Sequence, residues 1–182
     1  ECMDMDFIYA EFKKTKHPLV PTVRGLEKAC DGGWGEFVHF GVTTQDIIDT
    51  GLVLQCKEGM GVIKESLKDI AKALLKLAKE HKNTAMMGRT LSLQALPITF
   101  GHKVAIWLSE LNRHFERILE LEKRLYVGSI VGAVGTKASL GDKHNEVEKL
   151  TLQNLNLAVP DISWQPARDR FIELGFVLGN IN

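Results

Sequence analysis

Apolar side chains recur every three or four residues over most of the chain, which is the period of an α-helix that buries one face. The clearest run predicts a single helix over residues 46–82, about 55 Å long at 1.5 Å per residue. Its apolar positions are Cys56, Met60, Ile63, Leu67, Ile70, Leu74 and Leu77. Such a seam is typical of long helices that pack nearly parallel to one another.

A second long helix is predicted after an irregular stretch at residues 83–97. Its apolar positions are Val104, Leu108, Leu111, Phe115, Ile118 and Leu125, with the polar Glu122 in the same row. Shorter helices are predicted at 7–16, 22–30, about 143–157 and the end of the chain. Their expected buried faces are Val147, Leu150 and Leu155 for residues 143–157, and Phe171, Leu174, Leu178 and Ile181 for the last helix.

These patterns predict an all-α fold, an elongated antiparallel bundle of long helices, because no segment has a convincing strand period. We expect the bundle to be incomplete at both ends, since Glu1 is not an initiator methionine and the last helix keeps its period to Ile181 without a capping residue. Residues 1–45 are predicted to end a small N-terminal helical domain. Residues 46–182 are predicted to form part of the central bundle.

Charge and cysteine usage exclude several classes of function. Lys plus Arg equals Asp plus Glu at 23 each, so the whole-molecule charge draws the chain neither to nucleic acid nor to an anionic membrane. The three cysteines form no C-x-x-C, and no two of the six histidines are three or four residues apart. We therefore expect no metal, no cofactor, no membrane partner and a cytoplasmic location, and any anionic ligand needs a local site.

Polar residues concentrate in the loop before the first long helix. His39, Thr43, Thr44 and Gln45 lie beside a helix N-terminus, where free N–H groups and the helix dipole favour a carboxylate or phosphate. An equally good interpretation is that Thr44 only caps the helix and that His39 packs against Trp34.

Three further segments are candidates with structural alternatives. Arg89, Thr90 and Gln94 offer donors for a carboxylate, although an arginine at a helix junction more often forms a structural ion pair. At residues 164–170 two arginines flank Asp169, which is explained by charge balance at a helix start. Residues 126–141 hold four glycines and predict a loop that does not match a phosphate-binding P-loop.

Taken in order, these segments resemble the fumarase/aspartase superfamily. HFGVTTQDIIDT resembles its first signature, and GRTLSLQALPITFG resembles its second. The runs HPLVPTVRGLEKAC, GAVGTKASLGD and W-x-x-x-R-D-R at 164–170 are similar to the branch of adenylosuccinate lyase and 3-carboxy-cis,cis-muconate cycloisomerase. The resemblance covers nearly the whole chain.

The resemblance implies a homotetramer that acts on a small polycarboxylate, removes a proton β to a carboxylate and expels the group on the neighbouring carbon. It implies a catalytic role for His39, and its substrate-binding residues are Thr43, Thr44, Gln45, Arg89, Thr90 and Gln94. In the family these loops come from different subunits, so the helical bundle is the core of the assembly.

Two departures from the family pattern refine the expectation. Leu91 stands where the lyases generally have a proton-donating histidine, which favours the cycloisomerase over adenylosuccinate lyase. The third signature, S-S-x-M-P-x-K-x-N with its serine base, does not occur in the chain, so we expect a fragment that is inactive alone. A non-catalytic, oligomerising helical scaffold is the alternative.

Overall fold

The structure is a computed structural model that describes residues 3–181 of the 182-residue chain. Cys2, one of the three cysteines counted above, lies outside the described residues. The elements in chain order are α1 (Met5–Thr15), α2 (Val20–Ala29), α3 (Thr44–Glu80), β1 (Ala85–Thr90), β2 (Leu93–Thr99), α4 (Phe100–Leu125), α5 (His144–Asn154) and α6 (Asp169–Ile181), with short 3₁₀ helices at Trp34–Phe37 and Ala138–Lys143. The predicted all-α class is confirmed.

The stretch predicted to be irregular is instead an antiparallel β-hairpin, β1 with β2. The prediction was wrong because two-residue hairpin turns are usually marked by Asn-Gly or a similar pair. Here Leu91 and Ser92 occupy the turn at φ 47° and 64°. No residue in the turn therefore signals the hairpin.

By its contacts the described chain divides into two units, each considered by itself. The first comprises the chain up to Gly51 together with Val127–Pro166, and the second comprises Leu52–Tyr126 with the chain from Ala167. The division between two domains at residue 45 that the sequence suggested stays a prediction.

The second unit is built around a core shared by α3, α4 and α6. Its buried members are Met60, Leu67, Leu111, Ile118, Leu121, Leu125 and Val177. The predicted seam of α3 is confirmed at most positions, although Ile70 and Leu77 are 49% and 37% exposed. Glu122, the polar residue in the apolar row of α4, forms an ion pair with Lys64 of α3, so the row stays continuous.

The first unit packs its short helices closely. Gly25 of α2 lies against Ile8 of α1, and a Cβ at Gly25 would lie 2.7 Å from Ile8 Cγ1. Helix α2 begins at Val20, before the predicted start, because a proline at the first or second helical position is tolerated.

The predicted face of α5 was wrong. Leu150 is 53% exposed, whereas Glu148 and Leu152 are buried. Lys137 forms an ion pair with Glu148, and Gly128 lies so close to Leu152 that a Cβ at Gly128 would be 2.1 Å from Leu152 Cδ2. Contacts from the glycine-rich loop therefore decide which side of α5 is buried.

None of the helices within residues 3–181 is long and apolar enough to cross a membrane.

Candidate active site

Asp46, in the first turn of α3, organises the polar region of the first unit. Its side chain is fully buried. Oδ1 accepts three hydrogen bonds, from Ser129 Oγ at 2.7 Å, the Gln165 amide at 2.7 Å and the backbone N–H of Val131 at 3.2 Å. These hydrogen bonds join the start of α3 to segments that lie 83 to 119 residues away in sequence.

The second carboxylate oxygen of Asp46 fixes the first polar loop. Oδ2 accepts from the backbone N–H of Thr43 at 3.0 Å and of Gly132 at 2.8 Å. The backbone N–H of Asp46 donates in turn to the Thr43 carbonyl at 3.0 Å. The Asp46 side chain thus makes the half of a capping box in which the third helical residue accepts from the N–H of the residue before the helix, and it holds Thr43 against the helix start.

The glycine-rich loop is held at successive residues by other side chains of the same unit. Thr50 Oγ1 accepts from the backbone N–H of Ser129 at 2.9 Å and donates to its carbonyl at 3.1 Å. The buried Trp164 donates its indole N–H to the Gly128 carbonyl at 2.9 Å. The loop, predicted only as a connection, is therefore held in one conformation by hydrogen bonds and lies beside the first polar loop.

Sequence reasoning missed these supporting residues. From the sequence, Asp46 is only an acidic residue whose charge suits the dipole at a helix start, and nothing marks Ser129, Thr50 or Gln165. No local pattern could have joined them, because their partners lie 79 to 119 residues apart in sequence. The available signal was that Asp46 and Thr50 belong to the segment that resembles the first signature.

His39 and Thr44 line a cavity of about 160 Å³ together with Leu19, Val20, Val23, Arg24 and Glu27. His39 has φ 63°, and its Nε2 is buried with no hydrogen-bond partner among residues 3–181. Arg24 at the cavity forms an ion pair with Glu11. Trp34, the suggested packing partner of His39, is 70% exposed with its ring 5.9 Å from Phe37.

The remaining residues of the first loop have mixed surroundings. Helix α3 begins at Thr44, so the residue before the helix is Thr43 and the predicted cap at Thr44 is one residue late. Gln45 is exposed and donates its amide to Asp49 Oδ1 at 2.9 Å. Substrate contacts for Thr43, Thr44 and Gln45 stay predictions.

The hairpin of the second unit carries the other predicted binding residues. Arg89 pairs with Gln94 across the strands, and Thr90 pairs with Leu93. Because directly opposed residues share a face and successive residues alternate, Arg89 and Gln94 lie together while Thr90 faces the other side. Within residues 3–181 Arg89 forms no ion pair. The alternative role suggested for Arg89, a structural ion pair, is therefore not found among these residues.

The turn of the hairpin is strained and exposed. Leu91 and Ser92 both have positive φ, a conformation that costs a non-glycine residue about 1–3 kcal/mol. Leu91, at the position where the resemblance predicts a histidine, is 95% exposed. An aliphatic side chain at this position cannot donate a proton.

The two arginines of the segment at residues 164–170 make structural contacts, but the contacts described are not with Asp169. Arg170 donates to the carbonyl of Arg124, and the Arg168 guanidinium lies 4.9 Å from the centre of the Phe171 ring. Asp169 begins α6. Both arginine side chains therefore contact helices of their own unit.

Two further groups of side chains bear on reactivity. Burial raises the pKa of the Cys56 thiol, which favours the protonated, poorly nucleophilic form. In the part of the chain that the structure describes, no three His, Cys, Asp or Glu side chains are grouped to hold a metal ion.

Comparison with known proteins gives consistent matches. A family model described as lyase matches residues 31–182. The chain is 48% identical to the N-acetyl-S-(2-succino)cysteine lyase of Enterococcus italicus, over 98% of the chain and 39% of that protein. It is 44% identical to the adenylosuccinate lyase of Methanocaldococcus jannaschii, over 93% of the chain and 37% of that protein.

A solved structure matches equally widely. It is β-carboxy-cis,cis-muconate cycloisomerase from Acinetobacter calcoaceticus, with a TM-score of 0.88 and 34% identity over 98% of the chain and 42% of that structure. The chain thus spans about two fifths of the length of these proteins.

Proposed function

Since the chain belongs to the lyase family of the fumarase/aspartase superfamily, we propose that it forms part of an enzyme that eliminates a group from a succinyl-type polycarboxylate and leaves a carbon–carbon double bond. A base removes the proton from the carbon next to a carboxylate, and the electron pair is held as an aci-carboxylate. The pair then forms the double bond while the bond to the leaving group breaks.

The observation that carries the proposal is the buried Asp46 carboxylate, which holds Thr43 and the glycine-rich loop in place. Charge that develops on a substrate carboxylate is stabilised best by donors that need no reorganisation, at roughly 3 kcal/mol for one well-placed donor. Thr43, Thr44 and His39 are suitable donors. We propose that they act with Arg89, Thr90 and Gln94 from neighbouring copies of the chain, and that Gln45 also contacts the substrate.

Leu91 supports a particular class of leaving group. An amine that departs from carbon needs a proton, whereas a thiol with a pKa of about 8.5 can depart as the thiolate. A lactone oxygen likewise departs as a carboxylate. We therefore place a thioether or a lactone ahead of an N-succinyl purine as substrate. Between the first two we propose a 2-succino thioether, which would yield a thiol and fumarate, because the chain is 48% identical to an N-acetyl-S-(2-succino)cysteine lyase and 37% identical to a 3-carboxy-cis,cis-muconate cycloisomerase.

The base does not come from this chain in our proposal. The family's serine loop supplies it, and the 182 residues contain no such string. We therefore expect the 182-residue chain alone to release no fumarate. A longer protein that carries the chain and the serine loop should turn over substrate.

The experiment measures ultraviolet absorbance of that longer protein and of the 182-residue chain with three substrates in parallel. These are N-acetyl-S-(2-succino)cysteine, adenylosuccinate and 3-carboxymuconolactone. Preferred cleavage of the thioether supports the proposal. Faster cleavage of adenylosuccinate would overturn the leaving-group argument, and turnover of none would favour a non-catalytic scaffold.

We also propose that the chain assembles as a homo-oligomer, a tetramer by the family pattern. Several large apolar side chains of the second unit are exposed, including Val62 at 70%, Ile172 at 71% and Phe176 at 68%. Extended exposed apolar surface usually marks an interface. Light scattering of the purified chain should show an oligomer, and a monodisperse monomer would refute this proposal.

A further inference from the structure

A cavity of about 380 Å³ lies beside the hairpin in the second unit. It is lined by Met86, Met87, Gly88, Arg89, Ile98 and Lys103. The lining contains two cationic side chains, three apolar ones and no carboxylate. Apolar walls lower the effective dielectric around a charge, so attraction to an anion is stronger there than in open water.

Neither cation is neutralised within the described part of the chain. Arg89 and Lys103 form no ion pair with any acidic residue among residues 3–181. Lys103 Nζ lies 5.4 Å from the centre of the Trp107 ring, a cation–π contact that leaves its N–H groups able to donate. Since the chain has equal numbers of acidic and basic residues, the pair is a local positive excess.

The position of Lys103 is unfavourable for helix stability. It follows the first three residues of α4, near the positive end of the helix dipole, and the first turn of α4 contains no acidic residue. A cation there is repelled by the unpaired N–H groups, whereas an anion would be attracted. The helix dipole therefore does not favour a lysine at this point, whereas it would favour an anion bound beside Lys103.

The pairing of β1 with β2 is irregular at the residues that line the cavity. The strand register is interrupted between Met87 and Arg89, and a Cβ at Gly88 would lie 2.9 Å from the Leu96 carbonyl oxygen and 3.2 Å from Ile98 Cγ2. Bulges of this kind change the direction of the residue that follows. The irregular backbone at Gly88 therefore directly precedes Arg89, which lines the cavity.

We propose that Lys103 and Arg89 together bind one carboxylate of a small dicarboxylate in this cavity. The identity of the ligand as a succinyl-type dicarboxylate rests on the function proposed above. The arginine fork engages both carboxylate oxygens, and the lysine adds a compact point charge. Lys103 is thereby a substrate-specificity residue that no motif in the sequence indicated.

The test is direct binding, measured by titration calorimetry of the chain with succinate as the probe and with neutral succinamide for comparison. Wild type should bind succinate and not succinamide. Lys103→Met should weaken succinate binding by about tenfold, Lys103→Glu should abolish it, and Lys103→Arg should retain most of it. Lys76→Met, which removes an exposed lysine of the same unit, is the matched control and should change binding by less than about twofold.

Two results would overturn the inference: no binding of succinate by the wild-type chain, or equal weakening by Lys103→Met and Lys76→Met. Circular dichroism of each variant separates lost binding from lost folding, and Lys103→Arg keeps the charge if Lys103→Met unfolds. Because the readout is binding, it is independent of turnover. Absence of lyase activity with intact Lys103-dependent binding would contradict the proposed function alone.

Discussion

The two polar regions of this protein are built in opposite ways. In the first unit, a buried Asp46 with Ser129, Thr50 and Trp164 holds a loop and a helix start through hydrogen bonds in a packed interior. In the second unit, Arg89 and Gln94 stand on a two-stranded hairpin whose turn is strained and whose side chains are largely exposed. The first region is held by buried hydrogen bonds, whereas the second is largely exposed to solvent, as is common for segments that open easily.

This difference suggests a division of work. Donors that stabilise developing charge benefit from being fixed before the substrate arrives. A residue on an exposed hairpin can instead be ordered when substrate binds or a neighbouring copy packs on it. If this division holds, a substitution in the first region should cost more stability than one in the second.

Replacing Asp46 should have the largest effect. Asp46→Ala leaves the buried donors of Ser129, Gln165 and three backbone N–H groups without their acceptor. The unfolding free energy should fall by about 3–5 kcal/mol. Urea denaturation measures it, with Asp69→Asn as the control, since Asp69 lies in an exposed ion pair with Lys72. A loss of under about 1 kcal/mol at Asp46 would contradict the role assigned to its carboxylate.

Replacing Leu91 should change chemistry more than stability. Leu91→His restores a proton donor at a position where positive φ is tolerated by histidine better than by leucine. In the longer protein, turnover of adenylosuccinate should rise by about 10²-fold, while cleavage of a succino thioether should change little. Steady-state kinetics with both substrates measures the ratio. An unchanged ratio would mean that Leu91 does not lie where the leaving group departs.

Relieving the strained turn should stabilise the hairpin. Leu91→Asn with Ser92→Gly supplies residues that accept positive φ at both turn positions. Local stability of the hairpin should rise by roughly 1–2 kcal/mol, measured by amide hydrogen exchange of β1 and β2. Asn83→Gly, outside the strands, is the control. No gain in protection would show that the turn conformation is not costly.

The smallest effect is expected for the exposed ion pair of Glu173 with Arg124. The hydrogen bond from Arg124 holds the pKa of Glu173 below its usual range. Since this pKa is lower in the folded state, the pair stabilises above the ordinary glutamate pKa of about 4.3 and is lost as pH falls through the lowered value. Glu173→Gln should therefore destabilise by at most about 1 kcal/mol at pH 7 and by nothing near pH 2.

The measurement is urea denaturation of both proteins between pH 2 and pH 7. A difference between wild type and Glu173→Gln that is independent of pH would contradict an electrostatic contribution. It would then reflect packing of the glutamate side chain alone.

The sequence determined the helices, because their apolar periods report directly which residues meet a core. Most predicted positions in the rows of α3 and α4 and on the face of α6 do meet the core. The signature-like loops also identified the family without any coordinates. Each of these inferences rests on residues that are near one another in sequence.

Other features depend on contacts between distant parts of the chain. The buried face of α5, the hairpin at Leu91-Ser92 and the acceptor role of Asp46 all depend on partners that lie elsewhere in the chain or on a conformation that its residues do not favour. Hydrogen bonds that join residues 79 to 119 positions apart leave no periodic trace. Local sequence encodes local geometry, whereas a buried polar cluster forms only when packing excludes water from all of its members at once.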